Sequence, residues 1–514
     1  MTRSAGRSAA LVAAGILLSR LVGFVRERVF AHYFGNSAAA DAVRAALKIP
    51  NLIRNLLGEG TLSASFIPVY ARLVESDDPR AARALAGAVA SLLLVASAVA
   101  ALLGIAFAPV VTAVVAPGFD PATRRLTITL VRIIFPGSGL LVLAAWCLGI
   151  LNTHRRFFLP YAAPTLWNVV QIAVLVALGG VAAGGRLAVW LAWGVLGGSL
   201  LQLLVQVPAA VRLAGGLEFR PSFRVAGVPQ VMKAWAPVVV GAGVAQISSL
   251  VDTQLASLLP TGAVASLGYA QLLTNLPIAL FGVSVAASSL PELSRDAADP
   301  AGREALRERL ADGFRRIAYF VLPCTVAFLL MGFAVVRVLY QTGSFGTRDT
   351  ELVTRVLTFY AFGLIGWATV KLFASGFYAL RDTRTPVLTA ASSVVVSVVL
   401  SYLLMQRMGP AGIACGASIA ALYNTTMHLV HLQRRIGRVI RRAEWRAVGL
   451  VLLASAASAV GGVGAGILAE PYGPLAALVA SWTVFGVLYA AITYALRLPE
   501  AAALGRLAGL GRRP

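Results

Sequence analysis

Apolar runs of about 20 residues or more follow one another along almost the whole chain, separated by short polar connections rich in Arg, Gly and Pro. They predict helices near 8–33, 39–72, 84–116, 124–152, 160–182, 187–212, 230–259, 264–292, 313–341, 350–379, 385–405, 411–433, 446–469 and 474–497. Runs this long have the length of a bilayer span, and helices satisfy every backbone polar group internally. The predicted fold is an all-α polytopic membrane protein of about 14 transmembrane helices, with no room for a large soluble domain. The mixed-charge stretch 299–317, "DPAGREALRERLADGFRRI", reads as a separate surface helix.

Composition agrees: of 514 residues, 58% are hydrophobic and 13% charged, and the mean hydropathy is +0.80. A net charge of +23 would point to nucleic acid in a soluble protein, but here the cations fall between spans and describe topology instead. Arg72, Arg80, Arg83, Arg155, Arg156, Arg212, Arg220, Arg224, Lys233, Arg295 to Arg316, Arg381, Arg384, Arg434 to Arg446 and the C-terminal arginines fall on one side. Arg124, Arg125, Arg186, Arg348 and Arg407 fall on the other, so both termini are expected in the cytoplasm. The opening "MTRSAGRSAALVAAGILLSR" has the basic start and apolar run of a signal peptide, yet Arg20 interrupts it without a cleavage site. It reads as an uncleaved first helix. Cys147, Cys324 and Cys415 are single residues in apolar stretches and predict neither disulfides nor a metal site.

Two matches recur at an offset close to 227 residues. Pro50 and Pro68 in "KIPNLIRNLLGEGTLSASFIP" answer Pro277 and Pro291 in "TNLPIALFGVSVAASSLP", and "GILNTHRRFFLP" answers "GFYALRDTRTP". An offset of six helices preserves membrane orientation, which makes these parallel repeats. The expected layout is an N-lobe (1–225), a C-lobe (226–440) and two appended helices with a tail (441–514), the paired-lobe plan of alternating-access transporters.

Nine charges cannot be assigned to loops: Arg20, Arg26, Glu27, Arg28, Asp41, Arg44, Lys48, Arg54 and Glu59. Arg20 lies roughly 20 Å of helix beyond Arg7, near mid-membrane. Arg20 and Glu27 share a face by their spacing, and Arg26 points elsewhere; Asp41, Arg44 and Lys48 form a stripe. Pro50 is expected to kink the second helix beside Asn51 and Asn55. Glu27, Asp41 and Glu59 can pair with some cations and fasten the lobe. Six cations against three acids leave an excess, however, and such an excess belongs in a hydrated cavity that receives an anion. Arginine's planar fork suits pyrophosphate. The matching part of the second lobe is uncharged, so an anionic head with a lipid tail would use both.

Other intramembrane groups are weaker candidates. Asp252 can hold a cation or pair with Lys371, and His428 and His431 have a metal-compatible spacing without further ligands. No motif supports an enzyme: the glycines of "GGVGAG" lack a phosphate-loop lysine, and neither HExxH nor GxSxG occurs.

The stretch "SRLVGFVRERVFAHYFGNSAAADAVRAALKIPNLIRNLLGEGTLSASFIPVYAR" closely resembles the N-terminal signature of the MurJ (MviN) family of lipid II flippases, in the multidrug/oligosaccharidyl-lipid/polysaccharide exporter superfamily. The resemblance continues through "APGF" (116–119), "ILNTHRRFFLPYAAPTLWN" (150–168), "GVSVAASSLPELS" and "VKLFASGFYALRDTRTPV". It implies fourteen helices around a cationic cavity, a groove beside the last two for a polyprenyl tail, and export of lipid II to the outer leaflet of the bacterial inner membrane. It carries importance over to Ser19, Arg20, Arg26, Asp41, Arg54 and Glu59, with Glu27 where an Asp is common. It also implies Na+ or membrane potential as driving force, Asp252 matching an acidic cation-site position, and no other cofactor. The implied partners are lipid II, membrane lipids and other cell-wall synthesis proteins, not nucleic acid, for a chain expected to be a monomer. One position departs: Leu272 stands where the family carries an arginine before the helix-8 proline. Alternative readings are a flippase for another polyprenyl-linked glycan, a drug exporter, a scaffold for cell-wall enzymes, or a polyprenyl glycosyltransferase, for which no catalytic acid is found.

Overall fold

The computed structural model describes residues 2–76, 78–296 and 302–502, with most of their side chains. The chain runs through α1 (Thr2–Phe34), α2 (Ala38–Ala46), α3 (Lys48–Leu57), α4 (Glu59–Glu75), α5 (Pro79–Ala106), α6 (Ala108–Val115), α7 (Pro121–Thr153), α8 (Phe158–Ala162), α9 (Pro164–Leu178) and α10 (Gly184–Leu213). It continues with α11 (Val228–Ser257), α12 (Ala263–Pro277), a π-helical segment (Ile278–Val283), α13 (Ser284–Asp296), α14 (Arg303–Tyr340), α15 (Thr347–Ala379), α16 (Arg384–Met408), α17 (Pro410–Ile436), α18 (Arg442–Ala469) and α19 (Pro474–Ala495).

Eleven described segments are long and apolar enough to cross a membrane. The 33-residue α1, the 30-residue α11 and the broken run α2–α4 add three more, in agreement with the expected fourteen. Large apolar side chains such as Leu102, Val460, Leu468 and Leu475 stay exposed on the outer helix faces, where a bilayer would cover them. The mixed-charge stretch read as a surface helix is, from Arg303, continuous with the following span in α14, and its Leu306, Leu310 and Phe314 are buried along one side.

The second span is interrupted twice. α2 stops at Ala46 and α3 starts at Lys48, so Pro50 sits in the first turn of α3. There its missing N–H costs no hydrogen bond. The second break is Gly58. A Cβ there would approach the Arg54 carbonyl oxygen to 2.3 Å, so glycine is required. The Thr61 hydroxyl donates to the Leu56 carbonyl at 2.7 Å and covers an acceptor that the break frees.

The chain divides into two compact units. One holds residues 1–265 and 342–345, the other 266–341 and 346–514. In the first, Phe66, Tyr70, Leu85, Trp146 and Ile150 form a buried core, with the Trp146 indole donating to the Ala86 carbonyl at 3.1 Å. The same unit includes α11, so this boundary falls one helix later than the 225/226 boundary drawn from sequence. It also takes in the short loop 342–345: Ser344 N donates to the His32 carbonyl at 2.7 Å, and Phe345 is 1% exposed. In the second unit the Tyr319 hydroxyl meets Thr493 Oγ1 at 3.0 Å and Tyr489 donates to the Tyr319 carbonyl at 2.5 Å, both buried.

The internal repeat is visible in the backbone. α7 ends with Arg155 at φ 58° and α15 with Arg381 at φ 59°, both left-handed. Each is followed by an amide reaching back five residues: Arg156 N to the Leu151 carbonyl at 2.8 Å, Asp382 N to the Phe377 carbonyl at 2.9 Å. This is one Schellman cap at both repeat positions, with Arg in the place where glycine is usual; α19 closes the same way at Arg497 (φ 54°), where Leu498 N reaches the Thr493 carbonyl at 3.1 Å. In the second unit, Pro277 and the π-helical segment occupy the repeat position of the first unit's Pro50.

Because a left-handed non-glycine residue costs about 1–2 kcal/mol, Arg381→Gly should raise thermal stability in detergent by about 1 kcal/mol, and Arg381→Val should lower it. The next residue, Asp382, caps α16 through Arg384 N and Thr385 N at 2.9 and 3.1 Å. The Thr385 hydroxyl, first among its partners, holds the Asp382 carboxyl below its ordinary value of 3.8. A carboxylate with a lowered folded-state pKa stabilises fully above the unfolded value and loses that contribution as pH falls. Asp382→Asn should therefore flatten the loss of melting temperature below about pH 4.

Candidate substrate-binding site

Glu27, 4% exposed, lies on α1 between two arginines. Arg26 donates to Oε1, and Arg44 of α2 donates to Oε2 at 2.5 Å. Both guanidiniums also lie over aromatic rings, Arg26 5.0 Å from the Trp167 ring centroid and Arg44 5.0 Å from that of Phe30. The carboxylate and the two rings hold both cations in place, and Arg44 also lies in the field of Asp41. A guanidinium carries its N–H donors in a planar fork, the pattern that carboxylate and phosphate oxygens accept.

The stripe Asp41, Arg44 and Lys48 is divided by the break at Leu47. Asp41, 3% exposed, accepts from the backbone amides of Gly262 and Ala265 at 2.6 and 2.7 Å, capping the start of α12. Arg44 turns to Glu27, while Lys48 Nζ donates to Ser249 Oγ at 3.0 Å on α11. Asp252, one turn further along α11 and 8% exposed, faces the field of Lys48. Lys48 is thus a charged neighbour of Asp252 beside the two partners that the sequence offered, and no group of three His, Cys, Asp or Glu converges among the described residues.

The remaining sequence candidates are spread over neighbouring turns. Arg20 is exposed, two turns before Glu27, and the Glu27 carboxylate takes Arg26, the neighbour that spacing had pointed elsewhere. The Ser19 carbonyl lies 3.5 Å from Asn168 Nδ2 on α9. On α3, Asn51 borders a small cavity, Asn55 is exposed, and Arg54 has a buried Nε without a hydrogen-bond partner. Glu59 opens α4, and its side chain lies outside the described residues. Arg28 is exposed on α1.

In the second unit Leu272 is half-buried, and its neighbour Gln271 donates to the Tyr360 hydroxyl at 3.0 Å. Lys371 is exposed on α15. The Nδ1 atoms of His428 and His431 each lie 2.8 Å from the carbonyl four residues back on their own helix. Sequence reasoning missed Phe30, Trp167, Asn168 and Ser249. An aromatic residue one turn from a membrane arginine was the available signal for Phe30, but Trp167 and Ser249 are distant in sequence and carried none.

A helical membrane transporter with broken spans and a cationic cluster is the class defined by this architecture. An inward-facing multidrug transporter of the MATE family and MOP superfamily shares the fold, with a TM-score of 0.66 at 15% identity over 85% of this chain and 99% of that one. A lipid II flippase MurJ in an inward closed conformation has a TM-score of 0.77 at 22% identity, over 95% and 100% of the two chains. The family model "Lipid II flippase MurJ" matches residues 30–500. Lipid II flippase MurJ of Burkholderia cenocepacia is 34% identical over 427 residues, 82% of each chain. The probable lipid II flippase MurJ of Rhizobium meliloti is 35% identical over 428 residues, 81% of this chain and 78% of its own. The chain belongs to the MurJ family of lipid II flippases, which are transporters and not enzymes.

Removing the Glu27 charge leaves two half-buried cations facing each other. Glu27→Gln should lower unfolding free energy by about 3 kcal/mol or more, read as a fall in melting temperature. Asp41→Asn, which weakens two charge-assisted caps, should cost about 2 kcal/mol.

Proposed function

We propose that this protein carries lipid II from the inner to the outer leaflet of the bacterial cytoplasmic membrane by alternating access, for peptidoglycan synthesis. The observation that carries the reading is the Glu27-bridged pair Arg26–Arg44, which brings two planar guanidiniums together within the membrane-spanning part of a MurJ-family chain. The pyrophosphate of an undecaprenyl-linked substrate accepts bidentate hydrogen bonds from guanidinium. Arg20, Arg54, Ser19, Asn51 and Asn55 extend the head-group site along α1 and α3. Glu27, Asp41, Arg44, Lys48 and Glu59 orient these cations or gate their closure. The protein works as a monomer with both termini in the cytoplasm, beside the enzymes that make and use the precursor.

Membrane potential is the driving force in this reading. An inside-negative potential favours outward movement of an anionic head by about 2.3 kcal/mol per charge per 100 mV. Sodium is the weaker choice, because Lys48 already opposes Asp252.

Arg26→Ala should abolish complementation of a flippase-depleted strain and leave lipid II in the inner leaflet, measured by its accessibility at the outer face. Arg26→Lys, which keeps charge but loses the fork, should retain partial activity. Full export by Arg26→Ala protein present at normal membrane levels would refute the assignment.

A further inference from the structure

Arg26 is held by more than Glu27. Its guanidinium lies 5.0 Å from the centroid of Trp167, in the range of a cation–π contact. The two contacts differ in kind. Glu27 occupies N–H donors that a phosphate would want and adds a negative charge, whereas the ring brings neither an oxygen acceptor nor a formal charge to compete for the guanidinium.

Trp167 is itself fixed from behind. On the same turn of α9, Asn168 Nδ2 donates to the Pro164 carbonyl at 3.2 Å and lies 3.5 Å from the Ser19 carbonyl. Gly198 lets α10 approach closely: a Cβ there would sit 3.0 Å from the Trp167 carbonyl oxygen and 3.1 Å from its Cα. The indole also has a second task available. Its Nε1 is buried with no hydrogen-bond partner, and the residue lines a cavity of about 10 Å³ with Leu47, Pro50, Asn51, Ser138 and Ser199. That cavity lies where α2 gives way to α3, so a single residue contacts the arginine and lines the space beside the α2–α3 junction.

We infer that Trp167 is a positioning residue for recognition of polyprenyl pyrophosphate. Its ring holds the Arg26 guanidinium ready for the pyrophosphate and ties that placement to the α2–α3 break. The inference rests on the reading of Arg26 as a pyrophosphate ligand. An arginine free to sample its rotamers would pay that ordering entropy on each binding event; the ring removes part of it without neutralising the charge.

A double-mutant cycle on the full-length protein in nanodiscs tests this, read as affinity for undecaprenyl pyrophosphate. Trp167→Leu should weaken binding about 5- to 30-fold. Trp167→Phe, which keeps a ring, should stay within about threefold of wild type. On an Arg26→Ala background, Trp167→Leu should add no further loss. Equal losses with and without Arg26 would overturn the inference, as would a Trp167→Phe protein as weak as Trp167→Leu. Wild-type affinity in Arg26→Ala would instead overturn the pyrophosphate reading of Arg26. Trp167→Met replaces Trp167→Leu in the cycle if the latter does not melt cooperatively.

Discussion

One buried carboxylate governs the chemistry of the first unit. Glu27 faces two arginines from two helices and draws them together. The desolvation cost of such a cluster roughly offsets its attraction, and cations at membrane depth are costly without partners. Phe30 and Trp167 keep the arginines ordered without adding negative charge.

Asp41, Arg44 and Lys48 lie along one stripe on either side of Leu47, whose backbone stays helical, and serve three separate neighbours: the amides at 262 and 265, Glu27, and Ser249. The break at Gly58 then redirects the chain into α4, whose Phe66 and Tyr70 enter the core of the first unit. Irregular backbone within a membrane segment is tolerated only where protein or a cavity covers it, and here Thr61 and the small cavity beside Pro50 meet that need.

The fold was largely legible because apolar length alone identifies spans, and the 227-residue offset exposed the repeat. Its backbone signature, the left-handed Arg155 and Arg381, was not legible, since arginine gives no hint of positive φ. Of the site, the charges announced themselves by their cost in hydrocarbon, and the cluster on α1 to α3 was found that way. Their partners were not. Side-chain reach let Arg26 bend to the adjacent Glu27, and helical spacing cannot express that. Trp167 and Ser249 arrive from helices more than a hundred residues away, and apolar or small residues in a span look the same whether they face lipid or a cation.

The loop 342–345 has a consequence for how the molecule is made. The first unit includes these four residues, yet they are separated from residue 265 by the 76 residues of 266–341. At about 5–20 residues per second, a ribosome needs roughly 4–15 s to deliver them after α11 has emerged. During that interval the His32 carbonyl waits for the Ser344 amide that it accepts in the finished fold. The first half of the chain can therefore enter the membrane early but is completed only by a piece of the second, which makes its assembly discontinuous in time although its sequence is nearly continuous.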